Sequence, residues 1–433
     1  MHAYFDRDIE TAPREILEEV QFKRLKALIE SVYRDNPFYK RKFNERGVVP
    51  ADIQSARDIT KLPYLNKREI ADDQTEHPPF GSNLIGGLEQ YVRYHQTTGT
   101  TGRPVRWLDT KESWDWRGRC AAMALTGSGV TRKDIIFFPF AFGPHVAYWG
   151  VWEGAYQIGA LAIAGGGWNT LQRIKAIFEN EVTVVAFTPT YALRMAEVAK
   201  ESGIDILKSS VKIIINAGEP GALIPSVRRK IEEAWAATPF DYSGLTEVGA
   251  YGIHCQHQKQ AIHVNESEFI IEVVHSQTGK PVAEGEVGEM VLTNLGRPCS
   301  PAIRFRTGDL VRLLKGDCPC GRTFRMLDGG VLGRTDDMII IRGMNIYPSQ
   351  VGEIVEKHLV IGEEYQMIAY SKDQSGEFKV MIEVVEGRAS EEVAKTIKEE
   401  LRHHFEIRIG VEPVPRGTIP RFEYKSKRFV DKR

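Results

Sequence analysis

Between residues 90 and 245, short apolar runs alternate with helix-length amphipathic stretches, and this rhythm limits the fold more than any other feature of the chain. IIFFPF (135–140), LAIAG (161–165), VTVVAF (182–187) and VKIIINAG (211–218) have the length and β-branched content of buried strands. TLQRIKAIFEN and YALRMAEVAKESG, which lie between such runs, have helical spacing. Parallel strands need a crossover of helix length and cover on both faces, so the alternation predicts a parallel sheet with crossover helices.

The flanking segments differ. Residues 14–47 place Ile16, Leu17, Val20, Leu25, Leu28, Ile29 and Val32 at helical spacing, with a break at Asn36-Pro37. Residues 265–315 carry EFIIEVV, GEMVLTN and DLVRLL joined by TGKPVAEGEVGE, the pattern of an antiparallel meander. After Gly333 come LGRTDDMIIIRGMNIYPSQ, two strand-like runs and the helical SEEVAKTIKEELRHHF, enough for a small α+β domain. The expected boundary is Asp336-Asp337, giving domains 1–336 and 337–433.

At 433 residues the chain suits two or three domains, and 42% hydrophobic residues supply a sizeable core. Lys+Arg 57 against Asp+Glu 58 leaves a net charge of −1, so no basic footprint points to nucleic acid or an anionic membrane. The start MHAYFDRDIETAPRE does not read as a secretory signal, and no uncharged apolar run approaches the ~18 residues of a membrane span. Five cysteines are too few for a disulfide scaffold. The expectation is a cytoplasmic enzyme.

Three stretches carry chemistry. TTGTTGRP (97–104) offers hydroxyls and unencumbered backbone N–H groups to a polyphosphate; it lacks the Walker A lysine, and its bland alternative is a surface loop. In DYSGLTEVG (241–249), Thr246 and Glu247 follow a strand end, where a hydroxyl beside a carboxylate suits Mg²⁺ and its phosphate. In RFRTGD (304–309), Asp309 suits ribose hydroxyls or simply an Asx-type turn.

In this order the chain carries TTGTTGRP, NAGEPG (216–221), YSGLTE (242–247), RFRTGD (304–309), GRTDDMIIIRG (333–343) and a late Lys425 in IPRFEYKSKR. This order resembles the adenylate-forming superfamily of acyl- and aryl-CoA ligases, and more closely the phenylacetate-CoA ligase family. NPFYKRKF, KLPYLNKREI (61–70) and the close IPR…KSKRFVDKR also fit that family. The resemblance implies an α/β fold with a large N-terminal domain of parallel-sheet subdomains and an antiparallel β meander, plus a small mobile α+β C-terminal domain.

It also implies roles. Thr97, Thr98, Gly99, Thr100, Thr101 and Gly102 would cradle the ATP phosphates. Ala217, Gly218, Glu219 and Pro220 would line the adenine, with Tyr242 stacked near it at the turn of Ser243 and Gly244. Thr246 would touch the α-phosphate, Glu247 would hold Mg²⁺, and Asp309 would bind the ribose with Arg334 close by. Asp337 would be the hinge, and Lys425 would reach into the site from the small domain. Tyr424 stands where the family has glycine, and Lys427 is the nearest alternative to Lys425. The implied reaction is an aryl-acid:CoA ligation through an acyl-adenylate, with ATP, Mg²⁺ and CoA as cofactors, in an enzyme that is commonly a homodimer.

Relatives also suggest a structural zinc site of Cys255, Cys318, Cys320 and one histidine, with His263 first, His257 second and His254 third. The alternative is buried free thiols; Cys120 and Cys299 read as ordinary core residues. FFPFAFGPHVAYWGVW (137–152) falls where the family lines its acyl pocket, with Phe140, Phe142 and His145 as candidates and Tyr148 and Trp149 beside them. A second reading on the same fold is an adenylyltransferase acting on a deazaflavin-type coenzyme without CoA.

Overall fold

The computed structural model describes residues 4–97, 103–314, 316–341, 344–372, 375–421 and 426–433. The chain folds as two units, residues 1–166 with 242–330 and residues 167–241 with 331–433.

The first unit opens with the helix Arg14–Asp35. It buries Leu17, Gln21, Leu25, Leu28 and Val32, a stripe at helical spacing, and leaves Ile16 46% exposed. Ile16 sits one residue, about 100° of helical turn, from Leu17, which takes it off the stripe. Gln21 holds a stripe position because its amide donates to the carbonyls of Glu266 and Phe269 at 2.8 and 3.0 Å. The helix stops at Asn36, whose side chain caps the next helix, Pro37–Arg46, by accepting from Tyr39 N at 3.0 Å.

Strands Tyr91–Gln96 and Arg106–Thr110 pair antiparallel, with His95 opposite Trp107. Helix Lys111–Gly127 follows at once, capped by Thr110. Ile135–Phe138 and Leu161–Ala164 then pair in parallel across the crossover helix Val146–Ile158. Leu161 is 60% exposed, because its strand has a neighbour on one side only, so LAIAG is not the buried run its composition predicts. An antiparallel sheet follows in the spatial order Gly252–Ile253, Ala261–Val264, Met326–Asp328, Phe305–Leu314, Val287–Asn294, Phe269–Val274, which realises the expected meander.

In the second unit, Val184–Phe187, Ile213–Asn216 and Thr238–Asp241 run parallel, linked by helices Pro189–Glu201 and Pro225–Trp235. VVAF and IIIN are buried throughout, as continuous apolar strands covered on both faces should be. The C-terminal segment forms a four-stranded sheet in the order Gly410–Pro413, Ser375–Glu383, Glu364–Lys372, Phe429–Lys432, covered by helices Pro348–His358 and Ser390–Phe405. Ile346, Val351, Val355, Val380, Ile382, Ile397 and Leu401 make its core. Among the described residues no helix is long and apolar enough to cross a membrane.

Candidate active site

In the first unit, Thr97 closes the base of the expected phosphate loop. Its N–H donates to Val105 O and its Oγ1 accepts from Val105 N, both at 3.0 Å. Thr98, Gly99, Thr100, Thr101 and Gly102 lie outside the described residues. Beyond Tyr242 and Ser243, Gly244–Leu245 pairs with Gly249–Ala250, a tight hairpin whose tip presents Thr246 and Glu247. A Cβ on Gly244 would lie 3.0 Å from Gly249 O and 3.1 Å from Ala250 Cα, so the two backbones approach this closely only with glycine. Glu247 is buried, and Lys67 Nζ stands 3.4 Å from its Oε1. Lys67 opens the helix Lys67–Glu76 inside KLPYLNKREI; sequence reading used that stretch only as a family mark and missed its place beside Glu247.

Asp309 is buried within the strand Phe305–Leu314, not in the Asx-type turn its sequence allowed, and its N–H donates to Thr307 Oγ1 at 3.0 Å. The aromatic segment packs largely on itself: Phe140 lies 3.7 Å from Tyr148, Phe142 4.5 Å from Trp149, and Phe138 5.2 Å from Trp152, centroid to centroid. His145 Nδ1 lies 3.2 Å from Gln96 O, next to Thr97. A Cβ on Gly150 would sit 3.1 Å from the Tyr242 hydroxyl, so the aromatic helix and the expected adenine-side tyrosine are neighbours.

In the second unit, Ala217, Gly218, Glu219 and Pro220 follow the C-terminal end of the strand Ile213–Asn216, where open α/β sheets hold their ligands. Gly218 takes φ +89°, a conformation side chains resist. Glu219 is committed elsewhere: Oε1 accepts from Thr190 N at 2.9 Å, and Oε2 accepts from Ser426 N and Oγ at 3.0 and 2.6 Å. It thereby tethers the residue that follows Lys425, itself outside the described residues with Tyr424. Asn216 is buried, with neither amide atom partnered among the described residues. Beside it, the Asp241 carboxylate accepts from Ala222 N and Leu223 N at 2.7 and 2.9 Å, yet burial outweighs these bonds and pushes it up to about 6. Arg334 pairs with Asp336 at 2.8 Å, and Asp337 is exposed.

Separate from these groups, Cys255, His263, Cys318 and Cys320 bring their ligand atoms within 4.8 Å of one another, all four buried. His257 and His254 are not part of this set. Cys255 Sγ lies 3.6 Å from Cys318 Sγ, and Cys320 Sγ lies 3.4 Å from His263 Nε2. Zinc bound at ~2.3 Å from sulfur and ~2.0 Å from nitrogen sets tetrahedral neighbours about 3.8 Å apart for two sulfurs and about 3.5 Å for sulfur and nitrogen. The donor set fits that ion. His263 Nδ1 lies 3.0 Å from Phe324 O, which fixes the ring and leaves Nε2 toward the thiols. Of the other cysteines, Cys120 is buried and Cys299 is partly exposed.

Residues 343–433 match the model of the AMP-binding enzyme C-terminal domain. A phenylacetate-coenzyme A ligase of Escherichia coli is 32% identical over 98% of this chain and 97% of its own length. One from Thermus thermophilus is 30% identical over 99% of each. Among solved structures, 2-hydroxyisobutyryl-CoA ligase in the postadenylation state, in complex with R3-HIB-AMP, superposes with a TM-score of 0.93 at 26% identity, covering 99% of this chain and 92% of that one. This chain therefore belongs to the phenylacetate-CoA ligase family.

Proposed function

We propose that the protein joins an aromatic carboxylic acid to coenzyme A in two steps, with AMP and pyrophosphate as by-products. One observation carries the reading: relatives named for this ligation align with the chain from end to end. Those names also favour the ligase over the adenylyltransferase, since coenzyme A is in each.

In the first step the substrate carboxylate attacks the α-phosphorus of ATP and pyrophosphate leaves. Both reactants are anionic, so the site must neutralise charge. Glu247 would hold Mg²⁺, which screens the phosphates when bound; a single carboxylate plus substrate oxygens is the usual Mg²⁺ set. Thr246 would hydrogen-bond the α-phosphate, the Thr97 loop the departing phosphates, and the Lys425 ammonium the developing charge. Asp309 would accept from the ribose hydroxyls. Ala217, Gly218 and Pro220 would border the adenine, with Asp241 and Asn216 at the same strand ends as further polar groups. In the second step the CoA thiol attacks the acyl-adenylate, after residues 337–433 turn about Asp337 and withdraw Lys425. The aromatic cluster around Phe140 and Phe142 supports an aryl acid, and His145 would fix one edge of the pocket. The Cys255, His263, Cys318 and Cys320 set would hold a structural zinc, having no open position for substrate.

Incubation with ATP, Mg²⁺, CoA and a panel of aryl and aliphatic acids tests this directly. Acid-dependent AMP release with a thioester product, lost in Lys425→Ala, is the expected result. AMP retained on the product without CoA dependence would return the adenylyltransferase reading, and a preference for small hydroxy acids would overturn the aryl substrate.

A further inference from the structure

Asp109 lies in the strand Arg106–Thr110, the partner of the strand that leads into Thr97. It is completely buried between two guanidiniums: Arg117 Nε donates to its Oδ2 at 3.0 Å and Arg297 Nε to its Oδ1 at 2.6 Å. Each arginine spends further N–H groups on main-chain carbonyls. Arg117 Nη2 donates to Thr246 O at 2.7 Å, and Arg297 Nη1 donates to Glu247 O at 3.0 Å. Arg297 Nη2 returns to Leu108 O at 3.1 Å, in the strand of Asp109 itself. The Arg117 and Arg297 side chains are 4% and 0% exposed.

Net stability is a weak reason for such an arrangement. Burying ions costs several kcal/mol each, and apolar residues of the same volume are often as stable or more so. The arrangement supplies geometry instead. A guanidinium is a planar fork that holds two acceptors at fixed angles, which a lysine ammonium does not. Here two forks on one carboxylate grip the carbonyls of two successive residues, the pair whose side chains are assigned to the α-phosphate and to Mg²⁺. Burial pushes the Asp109 carboxyl up, but Arg117 and Arg297 outweigh it and hold Asp109 ionised.

We propose that Asp109, Arg117 and Arg297 are positioning residues of the adenylation step: a buried clamp that fixes the Thr246–Glu247 main chain against the strand pair carrying the Thr97 loop. The clamp rests on the ligase reading and adds to it three residues that act through the main-chain carbonyls of Thr246 and Glu247. It locks the turn without occupying the site, so the loss it predicts is specific to the step that needs Mg²⁺.

Arg117→Lys and Arg297→Lys keep a cation against Asp109 but remove the second reach. ATP–pyrophosphate exchange is followed against Mg²⁺ concentration, and thioester formation is followed separately from supplied acyl-adenylate and CoA. MgATP binding by calorimetry and the urea midpoint complete the set. Exchange is expected to fall on the order of 10²-fold, the cost of misplacing reacting groups by about 1 Å, with a raised Mg²⁺ requirement. Thioester formation should fall much less. Wild-type exchange and Mg²⁺ dependence in both variants would overturn the clamp. So would losses in both half-reactions that track the urea midpoint, the sign of a scaffold role alone. If the lysine variants do not fold, the isosteric Asp109→Asn decides by the same Mg²⁺ titration. A wild-type chain that neither binds MgATP nor exchanges pyrophosphate overturns the ligase reading, and the clamp with it.

Discussion

Lys67 Nζ stands 3.4 Å from Glu247 Oε1, so the carboxylate assigned to Mg²⁺ already faces a cation of the protein. Lys67 is 38% exposed and the pair is partly screened, worth roughly 1 kcal/mol at most. In Lys67→Ala the ion no longer competes with that ammonium, and half-saturation by Mg²⁺ should fall by up to about fivefold. A Mg²⁺ titration of pyrophosphate exchange measures it. A raised requirement would mean that Lys67 serves the phosphates instead.

Zinc content follows from the Cys255, His263, Cys318 and Cys320 cluster. Elemental analysis of purified protein should give one zinc per chain. Cys318→Ser should lower that content and reduce the melting temperature by roughly 5 °C or more, the size expected when a structural ligand is lost. Full metal content in the variant would remove Cys318 from the set. Adenylation should survive at low temperature, since none of these ligands belongs to the nucleotide groups.

His95 gives a pH signature. It is 3% exposed, stacks on Trp114 at 5.1 Å, and burial followed by the nearby Arg117 lowers it to about 4. The folded chain therefore binds fewer protons here than the unfolded chain between about pH 6.5 and 4. Its contribution is present above the unfolded value and is lost as pH falls through that window, on the order of 3 kcal/mol. Urea midpoints at pH 7 and 4.5 for the wild type and His95→Gln test this, and the acid-induced drop should be smaller in the variant. Equal drops would show that His95 does not titrate as its burial demands.

Lys230 and Glu356 pair at 2.5 Å within the second unit, both nearly buried, with Arg428 Nη2 3.5 Å from the same carboxylate. Burial raises the Glu356 carboxyl, but Arg428 and Lys230 outweigh it and hold the group below its ordinary range. Glu356→Gln leaves two cations with one counter-charge fewer and should cost about 3 kcal/mol in urea unfolding. The double change Lys230→Met with Glu356→Leu should cost less than Glu356→Gln, because Arg428 keeps Glu364 at 2.8 Å. A larger loss in the double variant would mean that the pair contributes net stability.

The order of elements was legible in the chain because local periodicity encodes it. Continuous apolar runs gave VVAF and IIIN as buried parallel strands, and Asn36-Pro37 marked a helix end through the geometry of proline. The ordered motifs likewise gave the family and the Thr246–Glu247 turn, each a short stretch with its own local chemistry, and the family resemblance in turn implied the set of Cys255, His263, Cys318 and Cys320 that the structure brings together. Tertiary structure alone decided which groups meet. Asp109 and Arg297 are 188 positions apart, Glu219 and Ser426 are 207 apart, and neither pair has a local pattern. Lys67 beside Glu247 has the same origin. A backbone period specifies which face of an element is apolar, whereas the partner of a buried charge is set by how distant elements pack together.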